Sequence, residues 1–189
     1  MASWLQALRW RLHHIDAALS FRLARSTDDS SERSLKDGLA LVGAHLGDSW
    51  LWVIVAALLL RKSQRGRGQD DGRGQRRVIG WLLSFAAAIV LTLVVKQTVQ
   101  RQRPGAGILL YGAGADVHSF PSGHAARMGA TAVWATALWP TWGWLLWPLT
   151  FWICWSRVRL GVHYVGDMLA GLLLGGLVGA TVRYGIVKR

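Results

Sequence analysis

Cysteine and acidic residues are scarce in this sequence. Its one cysteine, Cys154, lies inside an apolar run, so no disulfide framework exists and cysteine usage does not indicate the redox compartment. Only 10 Asp and Glu accompany 22 Lys and Arg, which gives a formal net charge of +12. That charge alone suggests nucleic acid or an anionic membrane surface as a partner. We also expect no secretory signal, because Arg9, Arg11, Asp16 and Arg22 interrupt the apolar core that a signal needs.

Apolar residues and tryptophan are abundant instead. Hydrophobic residues make up 52% of the chain and 12 residues are Trp, which argues against an ordinary soluble nucleic-acid binder and favours a membrane interface. A transmembrane helix needs roughly 20 apolar residues. The segments that approach this length are Leu39–Leu60, Val78–Val95, Ala125–Trp139, Trp142–Trp155 and Val165–Val182. We predict an all-α fold, a polytopic transmembrane bundle of five or six membrane helices, with the lipid bilayer and no nucleic acid as partner.

The first 38 residues differ from the rest. Apolar residues recur at helical spacing between Leu5 and Leu19, flanked by Arg and His. We predict an amphipathic helix that lies in the membrane interface, followed by a polar linker, and a membrane domain over 39–189. There are two alternatives: the helix packs on the polar end of the bundle, or it crosses the membrane.

Two further patterns concern packing and orientation. Gly171, Gly175 and Gly179 form a small-residue ridge that lets another helix approach closely, and Pro148 predicts a kink in the fourth segment. Residues 61–77 hold seven Lys and Arg and predict a basic loop that stays inside the cell.

Counting membrane crossings from that loop brings three polar stretches to one face. These stretches are Lys96–Pro104, Pro121–His124 and Ser156–Asp167, and an odd number of crossings separates each from the basic loop. The sequence therefore predicts a single site on the opposite, periplasmic or extracellular, face of the cell inner membrane.

The cations and small residues in these stretches are suited to a phosphate. Lys96 and Arg103 are seven residues apart, which places them on one face of a helix, and Arg157 adds a third cation. Ser122 and Gly123 lie in a turn that leads into a helix N-terminus. Cations, a hydroxyl and free backbone N–H groups bind phosphate oxygens, so we predict that these residues hold a phosphoryl group.

The histidines supply the chemistry. His163 and Asp167 are at positions i and i+4 of a helical turn, so the carboxylate can accept a hydrogen bond from one ring nitrogen. The other nitrogen is then left as a nucleophile. His124 can protonate the departing oxygen as a general acid.

Together the stretches resemble the signature of the type 2 phosphatidic acid phosphatase superfamily of integral membrane lipid phosphatases. The matching residues, all at the family's spacing, are Lys96, Arg103-Pro104, Pro121-Ser122-Gly123-His124, Ser156-Arg157, His163 and Asp167. The resemblance implies a phosphohistidine on His163, oriented by Asp167, with His124 as the acid. It also implies phosphate binding by Lys96, Arg103, Ser122, Gly123 and Arg157, and no metal or other cofactor. Asp116 and Asp167 are the only acids that we expect near the site.

The motifs leave the substrate open, because they recognise the phosphate and not the lipid tail. An undecaprenyl diphosphate is favoured, and phosphatidylglycerol phosphate or phosphatidic acid is the alternative. A lipid phosphotransferase and a non-catalytic lipid-phosphate-binding protein are the alternatives of another class. His45 and Asp48 lie inside the first predicted span, where we expect them to be structural hydrogen-bond partners outside the site.

Overall fold

A computed structural model describes residues 2–24, 30–65, 72–104 and 117–187, and all long regular elements in these ranges are α-helices. The helices are α1 (Ala2–Ala24), α2 (Ser30–Leu46), α3 (Ser49–Arg65), α4 (Arg73–Val99), α5 (Gly123–Leu138), α6 (Leu146–Arg159) and α7 (Val165–Val187), with a short 3₁₀ turn at Gly143–Leu145. The predicted all-α bundle is confirmed.

The segment predicted as the first span is divided into two helices. From Leu35 onward α2 and α3 are bent by 50° relative to each other, and the break lies at Gly47 and Asp48. A Cβ on Gly47 would lie 2.7 Å from His124 Cδ2 and 2.8 Å from Ile153 Cγ2. The chain therefore bends where its backbone passes against the histidine of the second motif.

Length and apolar composition together identify the helices that can cross a bilayer. Among the described helices, α4 and α7 are long and apolar enough, and the bent pair of α2 and α3 makes a third when it is taken as one span. The helices predicted as short spans, α5 and α6, have 16 and 14 residues. Part of the stretch 61–77, predicted as a loop, is helical, because α3 continues to Arg65 and α4 begins at Arg73, whereas residues 66–71 lie outside the described residues.

Pro148 does not kink a span, so that prediction is wrong. The helix that contains it begins at Leu146, after the 3₁₀ turn. Pro148 thus lies in the first turn of α6, where backbone N–H groups have no intrahelical acceptor and proline disrupts nothing.

Tryptophan side chains form much of the core between α3, α4 and α5. Trp81 and Trp134 are fully buried, and their indole nitrogens donate to Thr131 Oγ1 at 3.1 Å and to Ser84 Oγ at 2.9 Å. Burial of a polar N–H is costly unless it is paired, so these bonds let large aromatic rings fill the bundle interior.

The glycine ridge of α7 packs against α5, as the sequence predicts. A Cβ on Gly171 would lie 2.5 Å from Ser122 O, and one on Gly175 would overlap the carbonyl oxygen of Ala126. A Cβ on Gly179 would lie 3.1 Å from Ala130 Cα. This close approach brings the start of α5 against the start of α7, and both starts carry site motifs.

Helix α1 rests on α6 and α7. Leu8, Leu12, Ile15 and Leu19 of its predicted apolar stripe are exposed, whereas Ser20 is buried against the bundle. Arg11, His13 and His14 are exposed as well, so polar and apolar side chains share the surface of α1, and its position in the membrane interface stays a prediction. The structure describes no side chain for Leu5.

Candidate active site

His163 lies in the short connection between α6 and α7. Gly161, at φ +68°, reverses the chain after α6, and Val162 N donates to Arg157 O at 3.2 Å. The turn is glycine-dependent, since this φ is unfavourable for residues with a Cβ. It directs His163 inward, where its exposed fraction is 2%.

Asp167 in the first turn of α7 binds the imidazole as the spacing predicts. His163 Nδ1 lies 3.4 Å from Asp167 Oδ2, which also accepts from Tyr164 N at 2.9 Å. The imidazole also hydrogen-bonds the backbone of Ser119, and a proton on Nδ1 shared with an ionised Asp167 would leave the lone pair on Nε2. Burial, followed by the charges of Arg157, Arg103 and Lys96, lowers the pKa of His163 well below its ordinary value. The imidazole is therefore neutral and nucleophilic at neutral pH.

The predicted cations lie on separate elements, and the helix face predicted to carry both Lys96 and Arg103 is wrong, because α4 ends at Val99. Lys96 in the last turn of α4 donates from Nζ to His118 O at 2.5 Å, and Arg103 donates from Nη1 to Val162 O at 2.8 Å. Arg157 in the last turn of α6 is 3% exposed. Each of these charges lowers the pKa of His163, so all three cations act on the same imidazole.

The second motif forms the N-terminus of α5. Ser122 is the N-cap, and its Oγ accepts from Ala125 N at 3.5 Å. Its own N–H donates to the carbonyl oxygen of Asp167 at 3.0 Å, which joins the second and third motifs directly. Gly123 begins the helix and therefore stands at its positive dipole end.

Asp48, which the sequence analysis expected to be a structural hydrogen-bond partner, contacts the predicted general acid. Its Oδ1 lies 3.3 Å from His124 Nε2 and its Oδ2 lies 3.1 Å from His45 Nδ1. Asp48 is 7% exposed, whereas the side chain of His45 is 55% exposed. Asp48 thus links the predicted general acid to a surface histidine. The costly presence of a carboxylate in an apolar segment is the signal that could have identified it.

Asp16 is a second acid that the prediction missed. Its Oδ2 lies 2.8 Å from Arg101 Nη2, and Arg101 Nη1 donates to Asp167 Oδ1 at 2.9 Å. The expectation that Asp116 and Asp167 are the only acids near the site is therefore wrong, because Asp16 and Asp48 also reach it. Asp116 lies outside the described residues.

Ser156 has a packing role in this arrangement. Its Oγ donates to Trp152 O at 2.8 Å, and the same oxygen faces Gly43 of α2, where a Cβ would overlap it. The serine of the third motif therefore allows α2 to lie close to α6 beside the site.

The described residues thus place a buried His–Asp pair, three cations and a helix N-terminus at one end of an apolar helical bundle. Residues 77–189 match the family described as the PAP2 superfamily. The chain belongs to this superfamily, and the resemblance found in its motifs is confirmed.

Its relatives act on lipid phosphates. The chain is 33% identical over 144 residues to a decaprenylphosphoryl-5-phosphoribose phosphatase of Mycobacterium tuberculosis, a match that covers 74% of each chain. It is also 33% identical over 144 residues to an undecaprenyl-diphosphatase of Sulfolobus acidocaldarius, which covers 74% of this chain and 65% of the relative. The fold resembles the PAP2-type phosphatidylglycerolphosphate phosphatase of Bacillus subtilis, with a TM-score of 0.74, 24% identity and coverage of 94% of this chain and 87% of that one.

Proposed function

We propose that this protein is a membrane lipid phosphatase that removes phosphate from a lipid phosphate or diphosphate through a phosphohistidine on His163. The observation that carries the proposal is the buried pair of His163 and Asp167 with the charges of Lys96, Arg103 and Arg157 around it. A neutral imidazole surrounded by cations is poised to attack a phosphorus whose oxygens those cations hold.

In the first step Nε2 of His163 attacks phosphorus while the bond to the leaving oxygen breaks. His124 donates a proton to that oxygen, which leaves as an alcohol or as a lipid monophosphate. In the second step water attacks the phosphohistidine and the P–N bond breaks. His124 takes the proton of the water, and His163 is released together with phosphate.

We infer that the reaction uses the protein's own cations in place of a metal. The positive charges of Lys96, Arg103 and Arg157 act on His163, so they would also attract the oxygens of a phosphoryl group that this histidine attacks. In the ranges that the structure describes, no three His, Cys, Asp or Glu residues cluster as metal ligands.

An undecaprenyl diphosphate is the favoured substrate, and the undecaprenyl-diphosphatase among the relatives supports it. Phosphatidylglycerol phosphate is the second candidate, supported by likeness to the Bacillus subtilis fold, with phosphatidic acid in the same chemical class. Transfer of the phosphoryl group to an acceptor other than water would use the same first step.

The direct test is phosphate release by the purified protein from a panel of these lipids. His163→Ala is expected to abolish release from every lipid without loss of folding, because it removes the nucleophile. His124→Ala should retain attack on an aryl phosphate, since a good leaving group needs little of the roughly 10²–10⁴-fold help that a general acid gives. His14→Ala, on the exposed part of α1, is the control. Release by His163→Ala at the wild-type rate would contradict the mechanism.

We further propose that the site faces the outside of the cell inner membrane. The orientation is supported by α4, which begins at Arg73 in the basic stretch and ends at Val99 near the site. Basic segments are retained inside the cell, so the other end of this helix lies outside. In a Cys154→Ser background, Val117→Cys should be labelled from outside intact cells and Lys62→Cys should be protected. Val117 is 69% exposed at the site end, and Lys62 is exposed in the last turn of α3. The reverse labelling would place the site inside.

A further inference from the structure

We propose that Asp16 of helix α1 helps to position the nucleophile, because Asp16 holds Arg101 and Arg101 fixes the carboxylate that orients His163. Asp16 and Arg101 are positioning residues in this assignment. The inference rests on the proposed function for the role of His163. Residues 2–24 precede the part of the chain that matches the superfamily.

The orientation of Asp167 depends on a partner at each of its oxygens. Oδ2 faces the imidazole of His163 and accepts from Tyr164 N, whereas Oδ1 accepts from Arg101 Nη1 at 2.9 Å. Asp167 is fully buried, so water does not replace Arg101 at Oδ1 without a change in packing. Loss of Arg101 would therefore remove the charged partner of the carboxylate and leave it held only by Tyr164 N and the side chain of Ser119.

Arg101 is held on three sides. Its Nη2 lies 2.8 Å from Asp16 Oδ2 and 3.2 Å from His13 Nδ1, both on α1. Its guanidinium carbon lies 3.9 Å from the centroid of the Tyr164 ring. A planar guanidinium with one carboxylate on each of two terminal nitrogens and a ring beneath it has little rotational freedom.

The same helix also caps α7. Asp16 Oδ1 accepts from Gly166 N at 2.8 Å, and Ser20 Oγ accepts from Val165 N at 2.9 Å. The first N–H groups of a helix have no intrahelical acceptor, so side chains of α1 supply the caps that α7 lacks. Gly166 makes room for this contact, since a Cβ there would lie 2.6 Å from Asp16 Oδ2.

Asp16 thus bonds both the arginine behind the His–Asp pair and the backbone one residue before Asp167. Helix α1 also lines a cavity that reaches His163, to which it contributes Ser20 and Phe21. A shift of α1 would therefore move two groups beside Asp167 at once, the side chain of Arg101 and the backbone of Gly166. The geometry assigns Asp16 of α1 a role in aligning the nucleophile.

The test measures kcat and KM for Asp16→Asn, Arg101→Gln and the double variant on whichever lipid phosphate the wild type hydrolyses. Each single variant should lower kcat about ten- to hundredfold, because small misplacements of reacting groups have effects of that size. KM should change less than about threefold, since neither residue binds the substrate. The double variant should be no slower than the slower single variant, because the two residues act through one contact.

Arg22→Gln is the matched control, because Arg22 is an exposed arginine of α1 away from these contacts, and it should leave kcat unchanged. Arg101→Lys keeps the charge without the forked geometry and should recover part of the kcat lost in Arg101→Gln. If Arg101→Gln or Asp16→Asn does not fold, Arg101→Lys provides the test. It should lower kcat relative to the wild type while the unfolding temperature stays unchanged. A normal kcat in folded variants, an effect confined to KM, or strictly additive losses would overturn the proposal. Wild-type protein that releases no phosphate would instead count against the proposed function.

Discussion

Replacement of Asp48 by asparagine tests whether the acid that the sequence placed outside the site takes part in leaving-group protonation. The carboxylate lies 3.3 Å from His124 Nε2, longer than a strong charge-assisted bond of about 2.7–2.9 Å. A hydrogen bond to a charged group contributes about 1.5–3 kcal/mol, and the long distance favours the lower half of that range. At about 1.4 kcal/mol for each factor of ten, kcat should fall about ten- to fortyfold.

The assay compares a lipid phosphate, whose alkoxide leaves poorly, with an aryl phosphate, whose phenolate leaves readily. Asp48→Asn should slow the first reaction by the full factor and the second less than about threefold, because general acid help matters least for a good leaving group. His45→Gln is the control, since it removes the exposed partner of Asp48 and leaves the contact with His124. Equal losses on both substrates, or no loss on either, would refute this reasoning.

Other consequences of the structure can be measured independently. Activity should survive a chelator and vanadate should inhibit competitively, because protein cations meet the phosphate charge; strict dependence on added magnesium would contradict this. Gly175→Val should lower the free energy of unfolding by about 1–3 kcal/mol or more, because the new side chain overlaps Ala126 O. Gly176→Ala should not lower it, because a Cβ there meets open space. Because burial and neighbouring cations lower the pKa of His163, the acid limb of kcat/KM for an aryl phosphate should lie below pH 6.5, the ordinary histidine value.

The local parts of the site were predictable because short-range geometry determines them. The spacing of His163 and Asp167 sets their contact through one turn that leads into a helix, and the structure shows it. The start of α5 at Gly123, with Ser122 as its cap, follows from the same kind of local rule. The glycines of α7 likewise predict a close helix neighbour without any knowledge of which helix it is.

Predictions from the sequence were wrong where tertiary packing overrode a local pattern. Continuous apolar character predicts one helix over Leu39–Leu60, yet the chain bends at Gly47, where the backbone passes against His124. Apolar flanks likewise made Pro148 look internal to a span, although the helix begins only two residues earlier. Hydropathy indicates whether a segment suits an apolar medium. It carries no information about where a neighbouring side chain interrupts a helix.

By itself the sequence determined an all-helical membrane bundle and the superfamily, because helix periodicity and motif spacing act over a few residues, and the roles it assigns to the site residues stay predictions. Only the tertiary structure decided what supports those residues. Asp48 reaches His124 across 76 positions and Asp16 reaches Gly166 across 150, and no periodic pattern encodes such pairs. They exist because helices distant in the chain pack together, and burial then makes each charged side chain stable only beside a partner.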